Sequence, residues 1–113
     1  MALLNKHQFL AKDDFEYKDV YIKELDGEIR IRALSVEDQL AFEKDASELE
    51  QGSELMFSLI LKCCVDENNN TLFEETDLKD IKKKSANVVV TLFQEILKIN
   101  RIGQEEIDDL AKN

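Results

Sequence analysis

Asp26-Gly27 lies between two runs of alternating character, Val20 to Leu25 and Glu28 to Ala33. Asp-Gly is a preferred pair for a two-residue type I′ turn, because both central positions take positive φ. A turn there predicts an antiparallel hairpin over about 20–25 and 28–33. Its register sets Leu25 across from Glu28, Glu24 from Ile29, Ile22 from Ile31 and Val20 from Ala33. Side chains alternate along a strand, so Val20, Ile22, Ile29, Ile31 and Ala33 share one face and Tyr21, Lys23, Arg30 and Arg32 the other. An isolated hairpin is marginal in water, so the rest of the chain must cover its apolar face.

That rest reads as helix. There is no proline and there are three glycines, which favours long helices over tight loops. A short helix is expected over Asn5–Lys12, with Phe9 and Leu10 as its apolar contacts. Ser35 reads as the N-cap of a helix from Val36 to about Leu49, with Asp38 three residues on. Gln51-Gly52 is the expected break, and Ser53 a cap for a helix over Glu54 to about Val65. Within Leu55–Val65 only Ser58 and Lys62 are polar, four residues apart and so in one narrow stripe. Thr76 or Asp77 is placed to cap a short helix over Leu78–Lys84. Ser85 is placed to cap a long one over Ala86 to about Asn100, ended by Gly103. On that helix Thr91, Gln94, Glu95 and Lys98 fall together, while Val88, Val89, Leu92, Phe93, Ile96, Leu97 and Ile99 span an arc of roughly 200°, against roughly 100° for an ordinary surface helix. Gln104–Lys112 gives a last acidic, amphipathic stretch anchored by Ile107 and Leu110. The expected class is α+β, mainly α: a hairpin followed by four or five helices.

The 113 residues make one domain, since most domains run to roughly 100–150 residues. The expected division is a segment 1–14, a hairpin region 15–34 and a helical region 35–113. Twenty-five acidic against 15 basic residues give a formal charge of -10, which repels nucleic acid and anionic membrane alike. The one lysine run, Lys82–Lys84, reads as a solvated helix end. No apolar run approaches the roughly 18 residues needed to span a bilayer, and Met1–Leu10, with Lys6, His7 and Gln8, lacks a signal peptide's apolar stretch. Cys63 and Cys64 are adjacent, which makes a strained disulfide and matches no zinc spacing. They read as a reduced pair filling helix core in a cytoplasmic protein.

Catalytic signatures are almost absent, and the reading is of a protein that is not an enzyme and needs no cofactor. His7 has no neighbouring nucleophile, and there is no phosphate loop, nucleophile elbow or paired-histidine motif. Asp66 to Asp77 has the length of a calcium loop, with Asp66, Asn68 and Asn70 at positions one, three and five and Asp77 at twelve. Thr71 stands where the sharp turn wants glycine, and Asp77 is too short to reach as the usual glutamate does. A polar turn ending in a helix cap accounts for the same residues. A small calcium-responsive adaptor built on that loop is the alternative to the reading that follows.

That reading starts from apolar surface. The two apolar helices carry wider faces than a small domain ordinarily buries. An edge left exposed would accept amphipathic helices of a partner. On the long helix the edge positions are Val90 and Leu97 on one side, Val88 and Ile99 on the other. A strongly acidic body around such a strip keeps a complex dispersed while the strip shields its client.

Over nearly its whole length the sequence also resembles the small tail assembly chaperones of long-tailed bacteriophages and prophages. The resemblance lies in the opening Met1–Phe15, in Gly27–Ser35, in Cys63-Cys64-Val65-Asp66-Glu67, in Leu72–Leu78 and in Leu97–Asn113 with its Asn100-Arg101-Ile102 and Glu105-Glu106-Ile107 runs. It is a likeness of overall pattern and carries no catalytic motif. It implies a non-enzymatic chaperone at work in the bacterial host cytoplasm during tail morphogenesis and absent from the mature virion. The implied partners are the tape measure protein and sometimes tail tube subunits, and self-association is compatible with it. In many such phages a longer form arises by ribosomal frameshifting.

Overall fold

A computed structural model describes residues 2–48 and 52–102. The chain opens with α1 (Lys6–Ala11), which Asn5 and Gln8 close with a reciprocal capping box. Asn5 Oδ1 accepts from the Gln8 N–H at 2.8 Å and Gln8 Oε1 from the Asn5 N–H at 3.0 Å. The helix buries nothing. Phe9 and Leu10, expected as its contacts, are 63% and 70% exposed; the N-terminal capping box, rather than burial, supports these six residues. The following segment is fixed at one end of the sheet. The Asp13 carboxylate accepts from the Tyr17 hydroxyl at 2.9 Å and the Phe15 N–H at 3.0 Å. The Arg32 guanidinium lies 4.6 Å above the Phe15 ring, a cation–π distance.

β1 (Tyr17–Ile22) and β2 (Gly27–Arg32) form the hairpin, but in a register four residues from the expected one: Val20 pairs with Ile29 and Ile22 with Gly27. Lys23–Leu25 is a 3-10 turn and Asp26 alone is left-handed, at φ 47°. This corrects the two-residue turn, because Gly27 does not take positive φ. The physical reason lies in the faces. The tighter turn would set Glu24 opposite Ile29 on the apolar side; the four-residue loop lifts Glu24 out of the ladder and puts Val20 there. Asp tolerates the left-handed region, and its Oδ1 accepts from the Tyr21 hydroxyl at 2.9 Å. A shift of four keeps parity, so Val20, Ile22, Ile29 and Ile31 still share a face, as expected. Ala33 lies past the strand end. On the other face Asp19 bridges Arg30 at 2.7 Å.

The sheet has a third strand, β3 (Cys64–Val65), antiparallel to β2 with Ile31 opposite Cys64. It corrects the expected helix, which ends at Cys63 in α3 (Gly52–Cys63). Nothing in the apolar run distinguishes its last two residues from helix by periodicity. The polar loop then returns the chain, with the Leu72 N–H donating to the Cys64 carbonyl at 2.9 Å.

α2 (Val36–Glu48) starts as expected, with Ser35 Oγ accepting from the Asp38 N–H at 3.1 Å. Phe42 packs on the core while Val36 and Leu40 are exposed. The expected end of α2 at Leu49 and the Gln51 part of the break lie outside the described residues; Gly52 opens α3, so Ser53 stands inside the helix. After a 3-10 turn at Glu75–Asp77, α4 is a single turn, Leu78–Ile81, shorter than expected. Asp77 Oδ2 accepts from the Glu74 N–H at 2.8 Å, which fixes that turn. Lys82–Lys84 follow it, exposed.

α5 (Ala86–Ile99) crosses the apolar face of the sheet. Val88, Val89, Leu92 and Ile96 are buried, and Phe93, Leu97 and Ile99 pack against them, as the wheel predicts. Ser85 makes no side-chain cap; its carbonyl takes the Val88 and Val89 N–H groups instead. Nor does Gly103, which lies outside the described residues, end the helix. Arg101 adopts φ 57°, the Ile102 N–H reaches the Leu97 carbonyl and the Arg101 N–H that of Lys98, a Schellman ending without glycine. Asn100 secures it. Its Nδ2 donates to the Ile96 carbonyl at 2.9 Å, and its Oδ1 accepts from the Leu34 N–H at 2.6 Å. The expected Gln104–Lys112 stretch with Ile107 and Leu110 lies outside the described residues.

Ile22, Ile31, Leu59, Ile60, Cys63, Cys64 and Ile96 form the sealed centre. Both cysteines are free. Burial pushes the Cys63 thiol up to about 11 and the Cys64 thiol to about 12. The thiolate is the reactive form, so neither thiol should react with a disulfide reagent at about pH 8 in the folded chain. Both should react at once in urea, and a thiol titration counts them.

Candidate protein-interaction surface

An apolar concavity opens between the hairpin tip, the Leu72–Phe73 return, α4 and the start of α5. It measures about 380 Å³. Its floor is the core itself, where Ile60, Ile81, Val88, Val89 and Leu92 are buried. Its apolar rim is Leu25 and Leu72, 48% and 41% exposed, with Ile29 and Phe73 between. Asp77, Asp80 and Lys84 complete the edge.

Local structure puts these residues there. The four-residue turn carries Leu25 off the sheet. Asn69, left-handed at φ 66°, reverses the loop so that Leu72 returns beside β3. A groove with apolar walls and a short charged rim has the chemistry to take an apolar side chain or one face of a helix. A smaller cleft of about 170 Å³ lies on the other flank of α5, between Met56, Phe57 and Val90, with the Lys82 ammonium 5.4 Å above the Phe57 ring.

The four expected contact residues do not converge. Val88 is buried in the groove floor, so it is not a free edge; the start of α5 sits beneath α4 and the hairpin tip. Val90 is exposed and belongs to the smaller cleft. Leu97 and Ile99 are half-buried against the core near the other end of the helix. Sequence reasoning did not single out Leu25, Ile29, Leu72 and Phe73, which line the groove. A leucine beside Asp26-Gly27 was the available signal, since turn positions are ordinarily polar.

The Asp66–Asp77 loop turns its oxygens inward. Asp66 Oδ1 accepts from the Asn68 N–H at 2.8 Å and the Asn70 N–H at 3.0 Å, while Asn69 Oδ1 accepts from Arg30 Nη1 at 3.2 Å. With Asp77 held on Glu74, these contacts are those of a polar turn and a cap. Among the described residues no three His, Cys, Asp or Glu side chains are grouped to hold a metal ion, and no helix is long and apolar enough to cross a membrane. His7 is exposed on α1.

No family model matches the sequence, and no curated protein does. Among solved structures, the chain is similar to the bacteriophage HK97 tail assembly chaperone, with a TM-score of 0.61. The match covers 83% of this chain and 90% of that one, at 19% sequence identity. The two chains share a fold. The fold expected from the sequence pattern is therefore the one observed, at an identity where pattern, not residues, is shared. Within this shared fold, the groove below the hairpin tip is built from five separate stretches of chain.

Proposed function

We propose that this chain is a non-enzymatic assembly chaperone of a phage or prophage tail. In this reading it binds and keeps soluble apolar helical segments of the tape measure protein, with tail tube subunits as further clients. It acts in the bacterial host cytoplasm and does not remain in the mature virion. The observation that carries the reading is an open apolar groove, within a body of net charge -10, on the fold of a tail assembly chaperone. Amphipathic helices present anchors at i, i+3, i+4 and i+7, and the rim leucines offer matching apolar contact. Val90, in the smaller cleft on the other flank of α5, offers a second apolar contact, with Leu97 and Ile99 further along the helix, and Val88 meets the client only through the groove floor. The net charge then disperses the complex by mutual repulsion.

Mixing the purified chain with the tape measure protein of the same phage or prophage tests it by light scattering. Client aggregation should fall as chaperone is added. Leu25→Lys with Leu72→Lys should remove most of that protection, and Val90→Lys a smaller part. Undiminished aggregation at excess chaperone overturns the reading.

A further inference from the structure

We infer that the smaller cleft beside α5 is a docking site of its own, for an acidic amphipathic helix. The cleft lies where the starts of α3 and α5 meet the end of α4. Met56 and Phe57 lie across it from Ala86 and Val90, with Lys82 and Lys84 on its wall. No acidic side chain among the described residues lines it. At about 170 Å³ it is smaller than the roughly 300–1,000 Å³ of a small-molecule site. It has room for a single large apolar side chain, and Val90, 42% exposed, leaves it open to one from outside.

Charge selects the occupant. Leu78–Ala86 holds four of the chain's 15 basic residues, Lys79 and Lys82–Lys84, and one of its 25 acidic ones, Asp80. All four lysines are exposed, and none makes an ion pair among the described residues. A helix end favours a cation near its last carbonyls, but α4 has only four residues, and so short a dipole does not call for three lysines in a row. Lys82 is engaged elsewhere: its ammonium lies 5.4 Å above the Phe57 ring, on the cleft wall, within cation–π distance. The lysines form a positive collar on one side of an apolar seat, in a chain of net charge -10.

An acidic amphipathic helix meets both features at once. Its apolar stripe sets anchors three or four residues apart, about 5–6 Å between Cβ atoms, so one anchor enters the cleft while the next lies on Val90. Carboxylates flanking the stripe then come within reach of Lys82, Lys83 and Lys84. The opposite charges steer the encounter and fix its orientation, and the seated anchor supplies the affinity. A basic helix is turned away here. Its signs suit the groove across α4 instead, whose rim carries Asp77 and Asp80. Ile81, Lys84 and Val89 belong to both concavities, so two apolar seats with rims of different sign lie side by side. Nucleic acid fits the cleft less well. Its affinity grows with the number of phosphates neutralised, four lysines are few, and the apolar seat offers a phosphate nothing.

This inference does not rest on the chaperone reading, and its test needs no client. The probe is a capped synthetic peptide of about 18 residues, long enough to hold a helix, with leucine at i, i+3, i+4 and i+7 and glutamate on the flanks. A second peptide carries lysine in place of glutamate. The sequence has two methionines, Met1 and Met56, so in the full chain with methyl-labelled methionine the Met56 signal reports the cleft without any substitution. The glutamate peptide should shift that signal, and its Kd should rise several-fold between about 0.05 M and 0.5 M salt, as screening of exposed charges requires. The lysine peptide should leave the signal in place. Lys82→Glu with Lys84→Glu should weaken binding of the glutamate peptide roughly tenfold or more; both residues are exposed, so the variant should keep its circular dichroism and melt. Leu25→Lys with Leu72→Lys, in the groove, should leave that binding unchanged. A Met56 signal that stays put at saturating glutamate peptide overturns the inference, as do equal binding of the two peptides, an equal loss in the groove variant, or a short DNA duplex bound at the lysines in preference to the peptide. If Met56 fails to respond while the client is still protected, the inference falls and the chaperone reading stands on the groove alone.

Discussion

Ile96→Ala should lower the unfolding free energy by about 2–5 kcal/mol, the range for emptying a sealed aliphatic site. Ile96 is completely buried where α5 meets the sheet and α3, so its neighbours belong to three elements and cannot all close on the gap. A domain of this size is stable by only about 5–15 kcal/mol, so the loss is a large share. Urea unfolding monitored by circular dichroism checks it. The midpoint should fall with the slope unchanged, because the area exposed on unfolding hardly changes. A loss below about 1 kcal/mol would mean that the site repacks, contrary to the close packing around it.

Asn100→Ala should cost about 1–3 kcal/mol for a different reason. The Asn100 side chain takes the Leu34 N–H, leaving the sheet, and supplies a donor to the Ile96 carbonyl at the end of α5. Truncation strands a partly buried backbone donor, and the penalty for an unmade bond exceeds the net gain of a made one. Asn100→Asp keeps the acceptor and loses the donor, so it should recover part of the loss. Hydrogen exchange separates the two effects. The Leu34 amide should lose protection in Asn100→Ala and keep most of it in Asn100→Asp.

Much of the architecture was legible because it depends on parity and period. The faces of the hairpin came through a four-residue change of register unharmed, since a shift by an even number moves no side chain across the sheet. The α5 wheel sorted buried from exposed positions correctly because a long helix averages over many residues. What failed was local and depended on distant partners. The Asp26-Gly27 turn yielded to the cost of placing Glu24 on the apolar face. Cys64 and Val65 became strand because β2 had an open edge, which no property of those two residues announces. The helix ended at Ile99, ahead of the nearest glycine, because Asn100 could reach Leu34, 66 positions earlier.

The proposed interaction surface was legible only as a surplus of apolar residues. Counting them on a helix wheel pointed to Val88 and Ile99, which the fold uses for its own core. The groove instead assembles from a turn, a loop return and three helices. Leu25 and Leu72 are 47 positions apart, so no spacing rule joins them.

One feature of the sheet bears on how the chain is made. Lys18 on β1 donates to Glu95 on α5 at 2.6 Å across 77 positions, and its ammonium, aided by that of Lys98, holds the Glu95 carboxyl below the usual carboxylate range. With Leu34 tied to Asn100, both strands of the hairpin are completed by the far end of the described chain. Contacts this remote slow folding, because the intervening chain must close before they contribute. During translation the hairpin therefore leaves the ribosome long before its cover, with an apolar face and open edges bare in a crowded cell. A protein of this design spends its first seconds as something that itself needs shielding.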